Sequence, residues 1–215
     1  ILDTLGAIGA NLGVATADEV LASATEPFET RGIIVVEHGR YRVQPVPADL
    51  SVIGRETGFD FMGNIIWHKI STTNTTGGCS LMGSMYYPRD GHVTYEHEYI
   101  LLFRKHGDWP RPDVEAKEKS RLTKQERTEW FRGLWDDIPP VRQDEHIAMF
   151  PVEVPRRLIK MYTFHGETVL DPFMGSGTTA LAAAMEGRSS IGYEINRDFE
   201  PLMREKLAEH EVQFE

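Results

Sequence analysis

Val169-Leu170-Asp171-Pro172-Phe173-Met174-Gly175-Ser176-Gly177-Thr178-Thr179-Ala180 reads as a buried strand running into a glycine turn that opens a helix. Val169 and Leu170 close a short apolar run of the kind that forms a buried strand. Gly175 and Gly177 let the backbone turn sharply and approach a ligand with no Cβ in the way. Thr178, Thr179 and the alanine-rich 180–184 then begin a helix, an arrangement built to hold a nucleotide-like cofactor. Glu194 follows seventeen residues after Gly177, at the end of a second short run, Ser190-Ile191-Gly192-Tyr193. A carboxylate placed there can accept hydrogen bonds from both hydroxyls of a ribose, as in a βαβ nucleotide site.

The glycine spacing alone also satisfies the dinucleotide pattern Gly-x-Gly-x-x-Ala, so the flanks decide. Asp171-Pro172-Phe173 separates the strand from the glycines, whereas a dinucleotide fold turns straight from its strand into the first glycine. The Asp171 carboxylate can take an ammonium group, which S-adenosylmethionine has in its methionine portion and NAD lacks. The stretch resembles motif I of the DNA amino-methyltransferases, which methylate the exocyclic amino group of cytosine or adenine. Tyr193-Glu194-Ile195-Asn196 resembles the acidic ribose-binding motif that follows it. His146-Ile147-Ala148-Met149-Phe150-Pro151, with Pro155-Arg156-Arg157-Leu158-Ile159, is similar to the segment that precedes motif I and lines the methionine side of the pocket. Gly39–Val43, Gly58–Lys69 and Glu98–Lys105 are similar to later strands of the catalytic half. The resemblance covers about residues 39–210, in the permuted order seen in many cytosine-N4 enzymes and some adenine enzymes.

The resemblance implies an α/β chain with the Rossmann-like fold of S-adenosylmethionine-dependent methyltransferases, its sheet mostly parallel with an antiparallel strand near the edge. Residues 1–105 would be the N-terminal part of the catalytic half, 106–143 a helical basic insertion for target recognition, and 144–215 the cofactor-binding half. Asp171 would take the methionine ammonium and Glu194 the ribose. Phe173, Gly175 and Gly177 would shape the pocket and Thr178 and Thr179 donate from the helix start, with Asn196, His146 and Phe150 completing the site. The implied function is site-specific methylation of double-stranded DNA, cytosine-N4 favoured over adenine-N6, with a cognate restriction endonuclease as a candidate partner. Cys79 follows a glycine in a Ser/Thr/Gly loop and so does not resemble the nucleophile of cytosine ring-carbon methylation.

The family's catalytic loop is a Ser/Asp/Asn-Pro-Pro-aromatic tetrapeptide, expected in this order well before residue 39. Thr25-Glu26-Pro27-Phe28 has one proline and the wrong leading residue; Ile138-Pro139-Pro140-Val141 lacks both the polar and the aromatic partner. No catalytic residue is assigned. The first residue is Ile1, as in a fragment or a chain with a replaced N-terminus. The expectation is that these residues bind S-adenosylmethionine yet transfer no methyl group by themselves, and a non-catalytic remnant that binds cofactor or DNA is the alternative. An NAD-linked oxidoreductase would need a substrate domain with an acid/base residue, and the sequence offers neither.

At 215 residues and 40% hydrophobic content the chain can bury a core and suits one α/β domain with a small insertion. No apolar run approaches the roughly eighteen residues of a membrane span, and the start lacks the pattern of a secretory signal. A single cysteine excludes an intrachain disulfide framework and fits a cytoplasmic chain. Eight histidines and that cysteine form no His-x₃-His or Cys-x₂-Cys pair, so no metal site is expected. A net charge of −10 argues mildly against a nucleic-acid binder, but the distribution matters more. Arg104, Lys105, Arg111, Lys117, Lys119, Arg121, Lys124, Arg127 and Arg132 crowd one stretch, interleaved with Glu115, Glu118, Glu126 and Glu129. A solvated helix face of mixed charge and a phosphate track explain it equally well. Lys117, Lys119 and Arg121 are the DNA-contact candidates.

Elsewhere the sequence predicts a helix over Ala17–Ala24, a strand over Gly32–Val36, and a helix from Pro45 to about Thr57 stopped by Gly58. Asn64–Ile70 and Tyr99–Arg104 read as strands. Ser71–His97 is too long for a hairpin turn and reads as a functional loop, with Thr76, Tyr86 and Arg89 as DNA-contact candidates and Tyr86 equally suited to packing down on the sheet. Thr123-x-x-Glu126 is a capping box ahead of a helix reaching about Trp135. Trp67 and Phe59 are expected in the core and His97 on the surface of its strand.

Overall fold

Strand β3 (Phe59–His68) organises the first half of the computed structural model, which describes residues 34–37, 40–43, 45–68, 97–108, 110–141, 150–210 and 212. Before it come a short antiparallel pair, β1 (Ile34–Glu37) and β2 (Arg40–Val43), and helix α1 (Val46–Glu56). Proline in the first turn suits α1 because the lost N–H has no intrahelical partner there. The Thr57 hydroxyl donates to the Ile53 and Gly54 carbonyls, and Gly58 at φ +91° ends the run, as the sequence predicts.

β3 pairs antiparallel with β4 (His97–Lys105), from Phe59 opposite Lys105 to His68 opposite His97. A bulge between Phe61 and Gly63 shifts the register. On its other side β3 takes β5 (Leu134–Trp135) in parallel, giving the order β4-β3-β5. Ile65 and Trp67 point to the packed face with Trp135 and Ile138, all nearly inaccessible to solvent. The Trp67 indole N–H donates to the Ile138 carbonyl at 2.9 Å, so this large ring is buried without an unpaired donor. Phe59 is half-buried, and His97, expected on the surface, is half-buried with its ring edge-on to Tyr99.

The remaining elements are α2 (Val114–Lys119), α3 (Lys124–Trp130), α4 (Glu153–Tyr162), β6 (Thr168–Asp171), α5 (Thr178–Met185), β7 (Ser189–Gly192) and α6 (Phe199–Glu209). Both arms of the Thr123/Glu126 capping box form, and Asp113 caps α2 by accepting the Ala116 N–H at 2.7 Å. The helix started by that box stops at Trp130, short of the predicted end. Gly133 interrupts it, and Trp135 buries as a strand residue, with the Ile66 N–H bonded to the Gly133 carbonyl at 3.0 Å. Tertiary burial outweighs helix propensity at Leu134 and Trp135.

β6 and β7 run parallel, Thr168 opposite Ser189 through Asp171 opposite Gly192, with α5 as the crossover. α5 is apolar on every side because it is buried on nearly every side. Ile159 of α4, Val169 of β6, and Ala182 and Ala183 of α5 are all fully buried together. Alanine there lets α4 and α5 approach closely. Ala180 and Leu181 form a second cluster with Leu207 of α6, flanked by Met174 and Met203. Trp130 packs under Arg156, Arg157 and Lys160, whose charged groups lie 5.3 to 5.7 Å from its ring centre. Arg188 is buried against neutral oxygens: it donates to the Thr163 carbonyl and hydroxyl, to Ser120 and to the Glu186 carbonyl.

Two compact units result, one from the described residues of Ser23–His106 and Gly133–Pro139, the other from those of Gly107–Arg132 and Pro140–Glu215. The predicted helix over Ala17–Ala24 and the tetrapeptide Thr25–Phe28 lie outside the described residues, as do His146, Thr76, Tyr86 and Arg89. Among the described residues no helix is long and apolar enough to cross a membrane.

Candidate functional site

The turn between β6 and α5 is built from the backbone outward. Tyr193 N–H donates to the Asp171 carbonyl at 2.9 Å and Met174 N–H to the Tyr193 carbonyl at 2.9 Å, so the ladder between the two strands continues into the loop. Gly177 N–H then closes on the Met174 carbonyl and Leu181 N–H on the Gly177 carbonyl, which starts α5. Gly175 at φ +51° and Gly177 at φ +79° adopt left-handed conformations that other residues enter only with strain. They differ in surroundings. A Cβ on Gly177 would meet Met203 Cγ at 2.9 Å, whereas one on Gly175 would meet nothing within 4 Å. Gly177 is required for packing; Gly175 leaves open space beside the loop.

Asp171, 3% exposed, accepts the Phe173 N–H at 3.0 Å through Oδ1, which folds Pro172 and Phe173 into an Asx turn. Among the described residues no cation pairs with it. A carboxylate this buried and held by a single neutral donor suits a positively charged ligand. Glu194, exposed beyond the end of β7, accepts the Gly175 N–H at 2.8 Å through Oε2 and the Asn196 N–H at 2.7 Å through Oε1. Each oxygen keeps a second lone pair, so the carboxylate can still accept from neighbouring hydroxyls. Asn196 uses its own Oδ1 to receive the Asp198 N–H.

Asp171, Phe173, Gly175, Gly177, Thr178, Thr179, Glu194 and Asn196 thus lie on one strand-turn-helix and the end of the neighbouring strand. Thr178 and Thr179 are buried at the start of α5, and Phe173 and Phe150 are half-buried. The basic candidates lie elsewhere in the same unit. Lys119 is bonded to Glu115 at 2.7 Å and Arg121 to Glu118 at 2.9 Å, while Lys117 is exposed on α2. Arg121 holds the Glu118 carboxyl below its usual range by hydrogen bond and charge. Of the two proline tetrapeptides, Ile138–Val141 serves structure: Ile138 is 1% exposed and its carbonyl receives the Trp67 indole.

One residue at the turn has no counterpart in the sequence reading. Lys206 of α6 donates to Ser176 Oγ at 2.6 Å and to Thr178 Oγ1 at 3.0 Å. Nothing local marks it, because it reaches the turn across the interface between α5 and α6.

Comparison with known proteins places this geometry. A family model for DNA methylases matches residues 14–205. Type II methyltransferase M.MthZI of Methanothermobacter thermautotrophicus is 40% identical over 167 residues, 72% of this chain and 45% of that one. Type II methyltransferase M.MjaI of Methanocaldococcus jannaschii is 37% identical over 177 residues, 79% of this chain and 56% of that one. This chain spans about half the length of these curated relatives. Among solved structures, a candidate DNA modification methylase of Thermus thermophilus, crystallised with S-adenosyl-L-methionine, superposes with a TM-score of 0.67 at 39% identity, covering 85% of this chain and 67% of that one. The cytosine-N4-specific PvuII DNA methyltransferase shares the fold at a TM-score of 0.53 and 20% identity, covering 79% and 59%. The fold is therefore the α/β, Rossmann-like fold of the methyltransferases, and the chain belongs to the DNA methylase family whose members modify exocyclic amino groups at N6 or N4.

Proposed function

We propose that this chain binds S-adenosylmethionine between β6 and β7 as part of a site-specific DNA amino-methyltransferase, with double-stranded DNA as substrate and cytosine-N4 as the favoured target. The observation that carries the reading is Asp171, a buried carboxylate beside an open glycine turn, with no cation of the chain against it among the described residues. That arrangement fits the methionine ammonium better than any group of NAD, and Glu194 at the end of β7 fits the ribose. When bound, the cofactor supplies a methyl group on a sulfonium, an electrophile that needs no covalent enzyme intermediate.

The chain's own residues bind and orient. Asp171 takes the ammonium, Glu194 receives the ribose hydroxyls, and the turn from Phe173 to Thr179 forms the wall, with Asn196 beside it; family resemblance adds His146 and Phe150 as cofactor contacts. Family resemblance supports a base turned out of the duplex so that its amino group can meet the methyl in line. It also supports the three-part layout, with Lys117, Lys119 and Arg121 of 106–143 meeting phosphates and Thr76, Tyr86 and Arg89 of the 71–97 loop meeting the target sequence. The permuted motif order favours cytosine over adenine. A restriction endonuclease as partner belongs to the same proposal, supported by the Type II relatives, and so does a cytoplasmic location, which a single cysteine suits.

A second reading, a cofactor- or DNA-binding remnant, is favoured by one observation: no Ser/Asp/Asn-Pro-Pro-aromatic tetrapeptide occurs in the sequence. Mass spectrometry of oligonucleotides incubated with protein and S-adenosylmethionine separates the two and distinguishes N4-methylcytosine from N6-methyladenine. The expected result is no transfer by these 215 residues and N4-methylcytosine once a Ser-Pro-Pro-Tyr loop is supplied upstream. Transfer by the chain as it stands would show that other residues hold the base. Continued inactivity with the loop in place would favour the remnant.

A further inference from the structure

The turn carries charge of both signs, and the sequence marks only the acids. Asp171 and Glu194 supply acid at the strand ends. At the start of α5 stands Lys206, whose ammonium bridges the hydroxyls of Ser176 and Thr178. An ammonium has donors only, so both oxygens act as acceptors and each hydroxyl keeps its own proton to give away. Ser176 and Thr178 are 7% and 8% exposed, and among the described residues neither proton finds an acceptor. Buried hydroxyl donors are normally satisfied, so this pair is set for an acceptor from outside the chain.

The cation itself is equally uncompensated among the described residues. Among the described residues no carboxylate lies within ion-pair distance of Lys206, and burial pushes its pKa down. It sits against the N-terminus of α5, where the helix dipole opposes a positive charge. The acids of the turn, Asp171 and Glu194, accept the Phe173, Gly175 and Asn196 N–H groups and make no ion pair with it. A partly buried lysine in such a place is unfavourable unless a negative group arrives.

We propose that Lys206 is a positioning residue, orienting the Ser176 and Thr178 hydroxyls and supplying the charge that recognises the α-carboxylate of the cofactor's amino-acid end. The proposal rests on the cofactor reading above and extends it. The ligand's zwitterion then matches the turn at both poles, ammonium toward Asp171 and carboxylate toward the pair of hydroxyls that Lys206 holds. A nucleotide without an amino-acid end would leave the second pole unanswered, which separates this site from one for NAD by charge as well as by shape.

The test is isothermal titration of the 215-residue chain with S-adenosylmethionine and with decarboxylated S-adenosylmethionine, which keeps the ammonium and sulfonium and lacks only the carboxylate. Lys206→Met should weaken S-adenosylmethionine about tenfold or more, leave the decarboxylated ligand within about twofold, and be rescued by Lys206→Arg to within about threefold of wild type. If Lys206→Met does not fold by circular dichroism, Lys206→Gln, whose amide can still donate to Ser176, carries the same comparison. Equal weakening of both ligands, or no change in either, overturns the proposal while leaving the cofactor site standing. Wild-type chain that binds neither ligand overturns the cofactor reading and this proposal together. Inorganic phosphate competing with S-adenosylmethionine as strongly in Lys206→Met as in wild type would likewise count against a carboxylate subsite built by this residue.

Discussion

Glu194 ties down the glycine turn from nineteen positions away, its Oε2 accepting the Gly175 N–H at 2.8 Å. The contact joins the end of β7 to the turn after β6, the two places that would share a nucleotide. It makes the acid a structural tether as well as a ligand candidate. Glu194→Ala should weaken S-adenosylmethionine by roughly 1–3 kcal/mol, the scale of a hydrogen bond to a charged group. Calorimetry gives the affinity and far-UV circular dichroism the fold, which should persist. Unchanged affinity would remove Glu194 from the pocket.

The two glycines of the turn should separate stability from binding. Gly177→Ala places a Cβ 2.9 Å from Met203 Cγ at a φ of +79°, and should cost about 1–3 kcal/mol of stability. Gly175→Ala meets open space and bears only the left-handed strain, about 1 kcal/mol, yet it intrudes where a ligand would pass. Thermal melts should therefore rank Gly177→Ala below Gly175→Ala. Ligand titration should show Gly175→Ala impaired. The opposite stability ranking would mean that Met203 moves aside at little cost.

Acid sensitivity should trace to α4. Burial opposes ionisation of Glu153, but hydrogen bonds from Arg156 and Arg157 prevail and hold its carboxyl below the ordinary 4.5. A depressed folded-state pKa contributes stability that is complete above the unfolded value and is lost as pH falls through the folded one. Glu126, which Lys160 and the Thr123 cap hold below 4.5 against burial, acts in the same direction. Glu153→Gln should lower the melting temperature at pH 7 and flatten its decline as pH falls below the ordinary carboxylate value. A decline as steep as that of wild type would assign the acid sensitivity to other carboxylates.

The legible part of this chain was local. Asp171 through Ala180 announced strand, turn and helix because glycine conformation and helix start are short-range properties, and Thr123 with Glu126 announced a cap for the same reason. The capped helix ends short of its predicted limit because Trp135 is placed by burial with Trp67 and Ile138, which periodicity around Trp135 does not encode. Lys206 was missed because its partners lie 28 and 30 residues away, on another element. Arg188 illustrates the same limit, a buried cation satisfied by the carbonyl and hydroxyl oxygens of Thr163 and Ser120.

Replacing Lys117, Lys119 and Arg121 together by alanine should weaken DNA binding for all sequences and reduce the slope of log affinity against log salt, since phosphate contacts release counterions. Lys119 and Arg121 must exchange Glu115 and Glu118 for phosphate, and exposed pairs of this kind exchange cheaply. Electrophoretic mobility shifts at several salt concentrations measure both quantities. An unchanged salt slope would leave the stretch as a solvated helix face.

The central claim is that β6, the glycine turn and β7 hold S-adenosylmethionine through Asp171. Titrating the 215-residue chain and its Asp171→Ala variant with S-adenosylmethionine and with NADH tests it most directly. Saturable binding of S-adenosylmethionine, weakened by roughly 1–3 kcal/mol in the variant, with no binding of NADH, is the predicted result. Equal affinity of the wild type and Asp171→Ala for S-adenosylmethionine, or preference for NADH, would contradict it.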